Sequence, residues 1–441
     1  MLSVADNETI TKTGPGTPMG EYLRRFWTPF LLEEELPVPD CAPVRVRLMS
    51  EDLVAFRDTS GRVGLVAAMC PHRGTDLFFG RNEEGGLRCA YHGWKYDVTG
   101  RCMDMPTETP ESNFKDKVRV RAYETAEAGG IIWGYLGPKD KMPPLPHFPY
   151  FDLPEDQRIA TKYLRECNFV QALEGGIDSV HTNFLHITLS RWHNTPEFIE
   201  RRASHGEDLD IQYRAGDTAP RFFVHRTSGG FIVASRRVAD EDNYYWRFNQ
   251  YLLPFYTIPP RGAGGGHAFV PLDDVTCWSF NISTRADRPY SKEEIQVIKS
   301  GSIPVGPDDA GGLQNAERIP GTFTTVRNKA NDFLIDRTMQ RTQNFTGIVG
   351  TGNQDSMAQA SMPAIMDRTQ EHLGVTDLGI IAMRKLLLAE VRDLMEGIEP
   401  PEASDPEAYA TKGTHFVEKQ SVPLAECVAA REELMFGQAR R

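Results

Sequence analysis

Two pairs of cysteine and histidine residues stand close together in the first quarter of the chain. Cys70 and His72 are separated by one residue, and Cys89 and His92, sixteen residues further on, are separated by two. Thiolate and imidazole groups bind both iron and zinc. A zinc finger usually keeps its cysteines together and its histidines together, whereas each pair here holds one of each. This mixed order suits a [2Fe–2S] cluster with one iron on two thiolates and the other on two imidazoles.

The flanking residues support this interpretation. The runs C-P-H-R-G and C-A-Y-H-G-W, which contain the two pairs, resemble the two cluster-binding loops of Rieske proteins in spacing and in neighbours. Gly74 and Gly93 let the backbone turn close to a cluster, and Tyr91 and Trp94 can shield it from water. The alternatives are a structural zinc site or unrelated residues. Cys102 lies outside the pattern and is expected to be a small buried residue.

A second group of metal-binding side chains follows about ninety residues later, with Glu174, Asp178, His181 and His186. On a helix the first three lie at i, i+4 and i+7 and share one face. His186 is rotated from His181 by roughly 140° beyond one full turn. Both imidazoles can therefore point the same way only if the helix bulges or ends between them. The alternative is a pair of partly buried histidines with ordinary hydrogen bonds.

With the two groups in this order, the chain resembles the α subunit of a Rieske non-haem iron ring-hydroxylating oxygenase. The resemblance implies one Rieske [2Fe–2S] cluster and one mononuclear Fe(II) per subunit. Two imidazoles and one carboxylate would hold the iron and leave positions open for O₂. The carboxylate is an aspartate far towards the C-terminus in this family, and Asp355 fits that position best. Asp367 and Asp336 are the alternatives, and a solvated loop acid is the simpler explanation of Asp355.

The resemblance gives Asp178 a separate role as a bridge. In this family the corresponding aspartate joins a histidine on the cluster of one subunit to a histidine on the iron of the next, here His92 and His181. A carboxylate can accept an imidazole N–H on each side, which fixes both rings and completes a short electron path. Glu174 is expected to be either an outer acid of the iron site or a helix-surface residue. Asp178 and Glu174 are therefore the candidate catalytic residues.

Composition and charge narrow the possible functions. The 441 residues are enough for two or three domains. The net charge of −12 argues against a nucleic-acid partner but permits a small anionic substrate held by local arginines. No apolar run approaches the ~20 residues that span a membrane, and no signal peptide is visible, so a cytoplasmic protein is expected. Seven scattered cysteines fit reduced thiols, two of them ligands.

Local patterns place the cluster ligands in a β-rich region. From about residue 43 to 137, short apolar runs alternate with glycine and Asp/Asn turns, which predicts strands such as 44–48, 53–57 and 130–136. Residues 139–154, rich in proline and aromatic side chains, are predicted to form a linker.

The remainder of the chain mixes helix and strand. The patterns predict a helical stretch over 167–186, strands within 208–285, a loop rich in Gly, Pro and Asp within 287–330, and a long helix over 376–395. The predicted class is α+β, with an all-β Rieske domain followed by an antiparallel sheet flanked by helices in a helix-grip, START-like arrangement.

Three regions are expected along the chain. Residues 1–155 would hold the N-terminal segment and the Rieske domain, with cluster loops at 70–74 and 89–94. Residues 156–398 would form the catalytic domain, and residues 399–441 a C-terminal extension.

Several stretches resemble the phthalate-dioxygenase group within this family, namely residues 18–20, 81–89, 173–181 and 368–374. The resemblance implies a substrate that is an aromatic carboxylate, attacked by ring dihydroxylation, or alternatively a methoxylated aromatic acid that is O-demethylated. It also implies a homotrimer or stacked trimers without a β subunit.

An anionic aromatic substrate needs a cation in an apolar pocket, and the planar guanidinium can bind both oxygens of a carboxylate. Arg247 lies among aromatic residues in a predicted strand. Arg214 stands, with one gap, where the phthalate group has a carboxylate-binding arginine. Either could be a surface residue instead. Arg236-Arg237 is a weaker candidate, because a double arginine is usually a solvated edge.

The electrons are expected to come from a separate NAD(P)H-dependent reductase with flavin and [2Fe–2S] groups, since no nucleotide-binding Gly-rich loop is visible. Two other classes stay open, an electron carrier with an appended domain and a zinc-stabilised binding protein. The ~300 residues outside the cluster region and the pair His181 and His186 argue against a carrier, which needs no open iron.

Overall fold

The computed structural model describes residues 1–192, 213, 217–260, 264–301 and 316–436. It divides into two compact units. The N-terminal unit comprises Lys12–Leu145 and Val270–Asp274, and the C-terminal unit comprises Met1–Thr11, Pro146–Phe269 and Val275–Arg441.

Strands β1 to β18 are, in chain order, Trp27–Leu32, Val44–Leu48, Glu51–Arg57, Val63–Ala67, Arg81–Glu83, Gly86–Arg88, Lys95–Tyr96, Cys102–Asp104, Ala122–Ala128, Ile131–Tyr135, Arg158–Arg165, Arg221–Arg226, Gly230–Val238, Asn243–Leu252, Tyr256–Ile258, His267–Pro271, Cys277–Thr284 and Thr414–Lys419. Helices α1 to α11 are Val4–Thr11, Pro18–Leu23, Phe169–Ile177, Leu189–Trp192, Lys292–Ser300, Arg337–Thr342, Thr351–Ala360, Leu378–Met395, Pro401–Ser404, Leu424–Ala429 and Glu432–Phe436. A 3₁₀ turn at His181–Asn183 is used below.

The N-terminal unit is built from two antiparallel sheets. One has the strand order β1-β10-β9-β4-β3-β2, and the other has the order β5-β6-β7-β8. In β2, Val46 and Leu48 face the core while Arg45 and Arg47 face solvent, the alternation that a half-buried strand requires. The strands predicted at 44–48, 53–57 and 130–136 are confirmed, each to within two residues.

The C-terminal unit is organised around one large antiparallel sheet. Its strand order is β11-β17-β16-β15-β14-β13-β12, and β18 pairs with β14. Trp246 and Phe248 of β14 form a core with Cys427 and Val428 of α10. The predicted class, an all-β region followed by an antiparallel sheet with helices, is confirmed.

The observed units differ in their boundaries from the three expected regions. Phe148, in the predicted linker, is buried against Tyr256 and Tyr409, with ring centroids 5.0 and 5.4 Å away. Residues after 398 supply β18 to the large sheet, and α1 joins the same unit because Asn7 donates to the Met366 carbonyl at 3.0 Å. Aromatic packing and strand pairing between residues distant in the sequence therefore determine how the chain divides into the two units.

The helix predicted over 167–186 ends early, so that prediction was wrong in its extent. Helix α3 stops at Ile177, and the chain turns at Asp178. Gly175 and Gly176 weaken the last turn, yet both are needed for packing. A Cβ atom at Gly175 would lie 2.2 Å from Gln359 Nε2, and one at Gly176 would lie 2.6 Å from the Phe269 ring. The helix therefore ends before both histidines, whereas the spacing predicted a bulge or an end between them.

The region 287–330, predicted to include a loop, also contains helix α5, which was not predicted from the sequence. Ser291 Oγ accepts from the Glu294 amide, while the Glu294 carboxylate accepts from the Ser291 amide. This capping box is visible in the sequence as S-x-x-E. The long helix predicted over 376–395 is confirmed as α8, which starts two residues later. Among the described residues, no helix has both the length and the apolar character that crossing a membrane demands.

Candidate metal centres and active-site cavity

The two cysteine–histidine loops of the N-terminal unit have the same backbone geometry. The Gly74 amide donates to the Cys70 carbonyl at 2.9 Å, and the Gly93 amide donates to the Cys89 carbonyl at 3.0 Å. Both glycines adopt a φ of 76°, which side chains rarely allow. The pairs therefore sit in two matching turns.

These turns bring the two histidines close to each other and the two cysteines close to each other. Cys70 and Cys89 are buried, whereas His72 and His92 are half-buried with ring centroids 4.5 Å apart. Burial raises the pKa of the Cys70 thiol, and its Sγ lies 3.3 Å from the Tyr96 hydroxyl. Two inner thiols and two outer imidazoles match the asymmetric ligand set that the mixed order predicts.

The aromatic neighbours of these histidines differ in exposure. The indole of Trp94 is buried and stacks on His72 with centroids 4.2 Å apart. Tyr91 lies against His92 but is 57% exposed. Cys102 is buried in the core of this unit, as predicted.

The second centre lies in the C-terminal unit. The ligand atoms of His181, His186 and Asp355 all lie within 4.8 Å of one another. Asp355 Oδ1 is 3.6 Å from His181 Nε2 and 3.1 Å from His186 Nε2. The 3₁₀ turn after α3 presents His181, and α7 presents Asp355. The carboxylate and both Nε2 atoms converge on one point, the arrangement of a three-ligand metal site.

His186 is oriented through its other ring nitrogen. His186 Nδ1 lies 2.7 Å from Gln354 Oε1. The Gln354 amide cannot be reversed, because its Nε2 donates to the Ile348 carbonyl at 2.9 Å and to Thr346 Oγ1 at 3.2 Å. His186 must therefore carry its proton on Nδ1, which leaves the Nε2 lone pair for a metal.

Asp178 lies beside the other ring. Its Oδ2 lies 3.4 Å from His181 Nδ1, and its Oδ1 accepts from the Val180 amide at 2.7 Å. Burial lowers the pKa of His181, but the carboxylates of Asp178 and Asp355 outweigh it and raise that pKa overall. Burial likewise opposes ionisation of Asp355, yet His186 and His181 hold its pKa well below the usual range. The carboxylate is therefore ionised at neutral pH.

The two alternative aspartates, Asp336 and Asp367, accept hydrogen bonds outside the second centre. Asp336 is the N-cap of α6 and accepts from the Thr338 and Met339 amides. Asp367 is exposed and accepts from both the amide and the hydroxyl of Thr369.

Glu174 lies in a buried ion-pair network. Its carboxylate binds Arg368 in two places, at 2.9 and 3.0 Å, and accepts from Arg384 Nε at 2.7 Å. Arg384 in turn binds both oxygens of Glu371. Glu174 does not line the cavity described below. The structure therefore gives Glu174 a structural pairing and no support for a catalytic role.

The predicted substrate arginines lie in different surroundings. Arg247 of β14 is buried and lines the same cavity as the second centre. Arg214 lies outside the described residues. Arg236 is half-buried and stacks on the Tyr244 ring at 4.1 Å, while Arg237 is buried and donates to the Asp217 carbonyl. Neither of these last two lines the cavity.

The cavity beside the second centre has a volume of about 90 Å³. Helix α7 lines it with Thr351, Asp355 and Gln359, which are four residues apart and so share one face. Arg165 of β11 and Arg247 also border it. The cavity thus combines a metal-binding group, two cations and amide side chains.

The sequence did not predict three residues of this site, namely Gln354, Gln359 and Arg165. Helix α7 is largely buried although few of its residues are apolar. The sequence signal for the two glutamines is their spacing from the candidate ligand, since Gln354 adjoins Asp355 and Gln359 follows one helical turn later. Arg165 carries no comparable signal.

The fold and the two centres define a two-part metalloprotein with a cluster-binding β unit and a second unit holding a three-ligand centre. A family model for the Rieske [2Fe-2S] domain matches residues 26–124, and one described as "LigXa C-terminal domain like" matches residues 134–417. The chain therefore belongs to the Rieske oxygenases, a family of oxidoreductases that includes dioxygenases and monooxygenases. This confirms the resemblance seen in the sequence.

Similar curated proteins extend over nearly the whole chain. The chain is 36% identical over 437 residues to the 3-chlorobenzoate-3,4-dioxygenase oxygenase subunit of Comamonas testosteroni, covering 96% of each chain. It is 36% identical over 397 residues to the phthalate 4,5-dioxygenase oxygenase subunit of Pseudomonas putida, covering 88% of this chain and 86% of that one. It is 32% identical over 411 residues to the 5,5'-dehydrodivanillate O-demethylase oxygenase subunit of Sphingobium sp., covering 91% and 83%.

Solved structures share the fold. Dicamba monooxygenase bound to dicamba aligns with a TM-score of 0.55 at 15% identity, covering 86% of this chain and 99% of that one. NdmA of Pseudomonas putida CBB5 with caffeine aligns with a TM-score of 0.56 at 19% identity, covering 95% and 100%.

The orientation of His186 by Gln354 yields a prediction. The change Gln354→Leu should weaken Fe(II) or Co(II) binding at the second centre about 10- to 100-fold, because the imidazole loses the acceptor that fixes its tautomer. Competition with a chelator measures this affinity. Gln370→Leu, at an exposed position, is the control. Equal metal affinity in the two variants would show that Gln354 does not orient the ligand.

Proposed function

We propose that the chain is the oxygenase component of a multicomponent system that uses O₂ to hydroxylate an aromatic carboxylate, as in phthalate-type dihydroxylation. The observation that carries this proposal is the convergence of His181, His186 and Asp355 in a cavity that Arg247 also lines, on a chain with a Rieske domain. The similarity to the phthalate and chlorobenzoate dioxygenase subunits supports the substrate class.

The side chains suit the two metal groups. The cluster would be held by Cys70, His72, Cys89 and His92. One mononuclear Fe(II) would be held by the two Nε2 atoms and the ionised carboxylate of the second centre, a ligand set that fits a divalent cation. When bound, the cluster supplies single electrons and the iron activates O₂.

Asp178 is proposed to link the centres of neighbouring subunits. One of its oxygens already lies beside His181 Nδ1. His92 is half-buried, so part of its ring is accessible to a second copy of the chain. A carboxylate that accepts from both imidazoles would fix both rings and shorten the electron path. The proposal includes a homotrimer or stacked trimers, and a separate NAD(P)H-dependent reductase as electron donor.

Arg247 is proposed to bind the substrate carboxylate. Its guanidinium is buried at the wall of the cavity that holds Asp355 and His181. In such a site a planar fork of donors can hold both oxygens of a carboxylate and so fix the ring beside the iron. Arg214 remains a second proposed contact.

An O-demethylating monooxygenase acting on a methoxylated aromatic acid is the second candidate. The 32% identity to a dehydrodivanillate O-demethylase subunit favours it. The same carboxylate anchor would serve both reactions, so the candidates differ in the group that Arg247 places beside the iron.

Metal analysis tests the class of protein. The oxygenase should contain about three iron atoms and about two acid-labile sulfides per chain, two irons in the cluster and one at the second centre. An electron carrier would contain about two irons, and a zinc-stabilised binding protein none. Preparations without acid-labile sulfide would exclude both iron classes.

If Asp178 is the bridge, its substitution should slow electron transfer between the centres without removing either metal. Asp178→Asn should leave both metals bound but slow substrate-coupled oxidation of the reduced cluster by about 100-fold, because one imidazole N–H loses its acceptor. Stopped-flow spectroscopy of the cluster measures the rate, and Asp393→Asn, at an exposed position, is the control. Oxidation as fast as in the control would mean that Asp178 is not the bridge.

The carboxylate anchor predicts a selective change in KM. Arg247→Gln should raise KM for an aromatic carboxylate by about tenfold or more while changing that for the corresponding amide little, because a charged hydrogen bond is lost. Arg236→Gln is the control, since that side chain stacks on Tyr244 away from the cavity. Equal effects on acid and amide would remove Arg247 from the substrate site.

A further inference from the structure

Gln359 presents an unused hydrogen-bond donor beside the second centre. The residue is only 6% exposed, yet it lines the cavity. Its Oε1 accepts from Arg165 Nη1 at 2.7 Å. Its Nε2 donates to no acceptor among the residues that the structure describes. The donor therefore stands at the cavity without a partner among these residues, and it is suited to an acceptor that a ligand brings.

The direction of this amide is fixed. Arg165 has only donors, so the oxygen of Gln359 must face it and the NH₂ group must face the other way. Arg165 cannot move aside, because it is buried and its Nη2 donates to the Tyr163 hydroxyl at 2.7 Å. The absence of a side chain at Gly175 leaves the room in which Nε2 lies.

Gln359 lies on the same helix as Asp355, the metal-binding carboxylate. Gln359 follows Asp355 by four residues on α7, so the two side chains stand about 6 Å apart along one face of the helix. A ring held beside the iron would therefore bring one of its substituents to the amide. The guanidinium behind the amide also polarises its N–H bonds and strengthens them as donors.

We propose that Gln359, oriented by Arg165, donates a hydrogen bond to a second oxygen-bearing substituent of the aromatic acid, apart from the carboxylate that Arg247 holds. This inference rests on the proposed function and narrows its substrate class. The preferred substrates are aromatic acids that carry a further carboxylate, hydroxyl or methoxy oxygen at the position facing Gln359. An alkyl group there would leave the buried donor unsatisfied.

Binding of matched acids to the metal-loaded full chain tests the assignment. The probes are phthalate, isophthalate and terephthalate, each paired with the methylbenzoate that has a methyl group in place of the second carboxylate. Calorimetry gives the ratio of dissociation constants within each pair. One diacid should bind the unmodified protein about tenfold or more tightly than its methyl counterpart.

Substitutions at Gln359 should change this ratio of dissociation constants without weakening the binding of the methylbenzoates. Gln359→Leu should bring the ratio close to one. Gln359→Glu keeps the shape and can pair with Arg165, but it turns an acceptor towards the cavity and should make the diacid the weaker ligand of the pair. Gln370→Leu, at the exposed control position, should leave the ratio unchanged.

Other results would overturn the inference in distinguishable ways. A preference for a diacid that persists in both Gln359 variants would remove Gln359 from recognition and leave the proposed function intact. The same holds if the unmodified protein binds the acids but prefers no diacid to its methyl counterpart. Failure of the unmodified protein to bind any of the six acids would reject the proposed substrate class, and this inference with it.

Discussion

The second metal centre depends on a buried ion-pair network that anchors the end of α3. Glu174, in the last two turns of this helix, is held by Arg368 and Arg384. Arg368 is fully buried and Arg384 nearly so, so neither cation can be left unpaired without a cost of several kcal/mol. The network ties the end of α3 to Arg368 and to Arg384 of α8, and the segment that follows brings both histidines beside Asp355 of α7. Ion pairing therefore anchors the helix from which the ligand segment departs.

The metal ligands were predictable because their chemistry restricts both residue type and spacing. The interval between His181 and His186 required the helix to bulge or to end, although its actual end point lies beside Gly175 and Gly176, which pack against side chains distant in sequence. The partners of Glu174 were not predictable, because they lie about 200 residues away. The stretches 173–181 and 368–374 each resembled the phthalate group, and the structure joins them through one ion pair.

The fold shows the same distinction between local and long-range information. Strand β2 follows from alternation within five residues, and α5 could have been predicted from its capping box. The aromatic segment around Phe148 looked like a linker because proline-rich sequence is ambiguous, whereas its burial depends on Tyr256 and Tyr409. Strand β18 likewise becomes recognisable only through its pairing with β14. Local sequence patterns thus predict individual helices and strands, whereas contacts between residues distant in the sequence decide which unit each one joins.

Helix α7 carries three side chains that have separate roles at the second centre. Asp355 offers the carboxylate, Gln354 orients a histidine ligand, and Gln359 lines the cavity with an amide that Arg165 orients. Polar residues are unfavourable in a buried helix unless each has a partner, which explains why the partners of Gln354 and Gln359 are themselves fixed. Because one helix sets the distance between the metal-binding carboxylate and the amide, the position of a bound ring relative to the iron would be built into the backbone. A substitution at Gln359 can then alter which substituent is accepted while the ligand geometry at Asp355 stays the same.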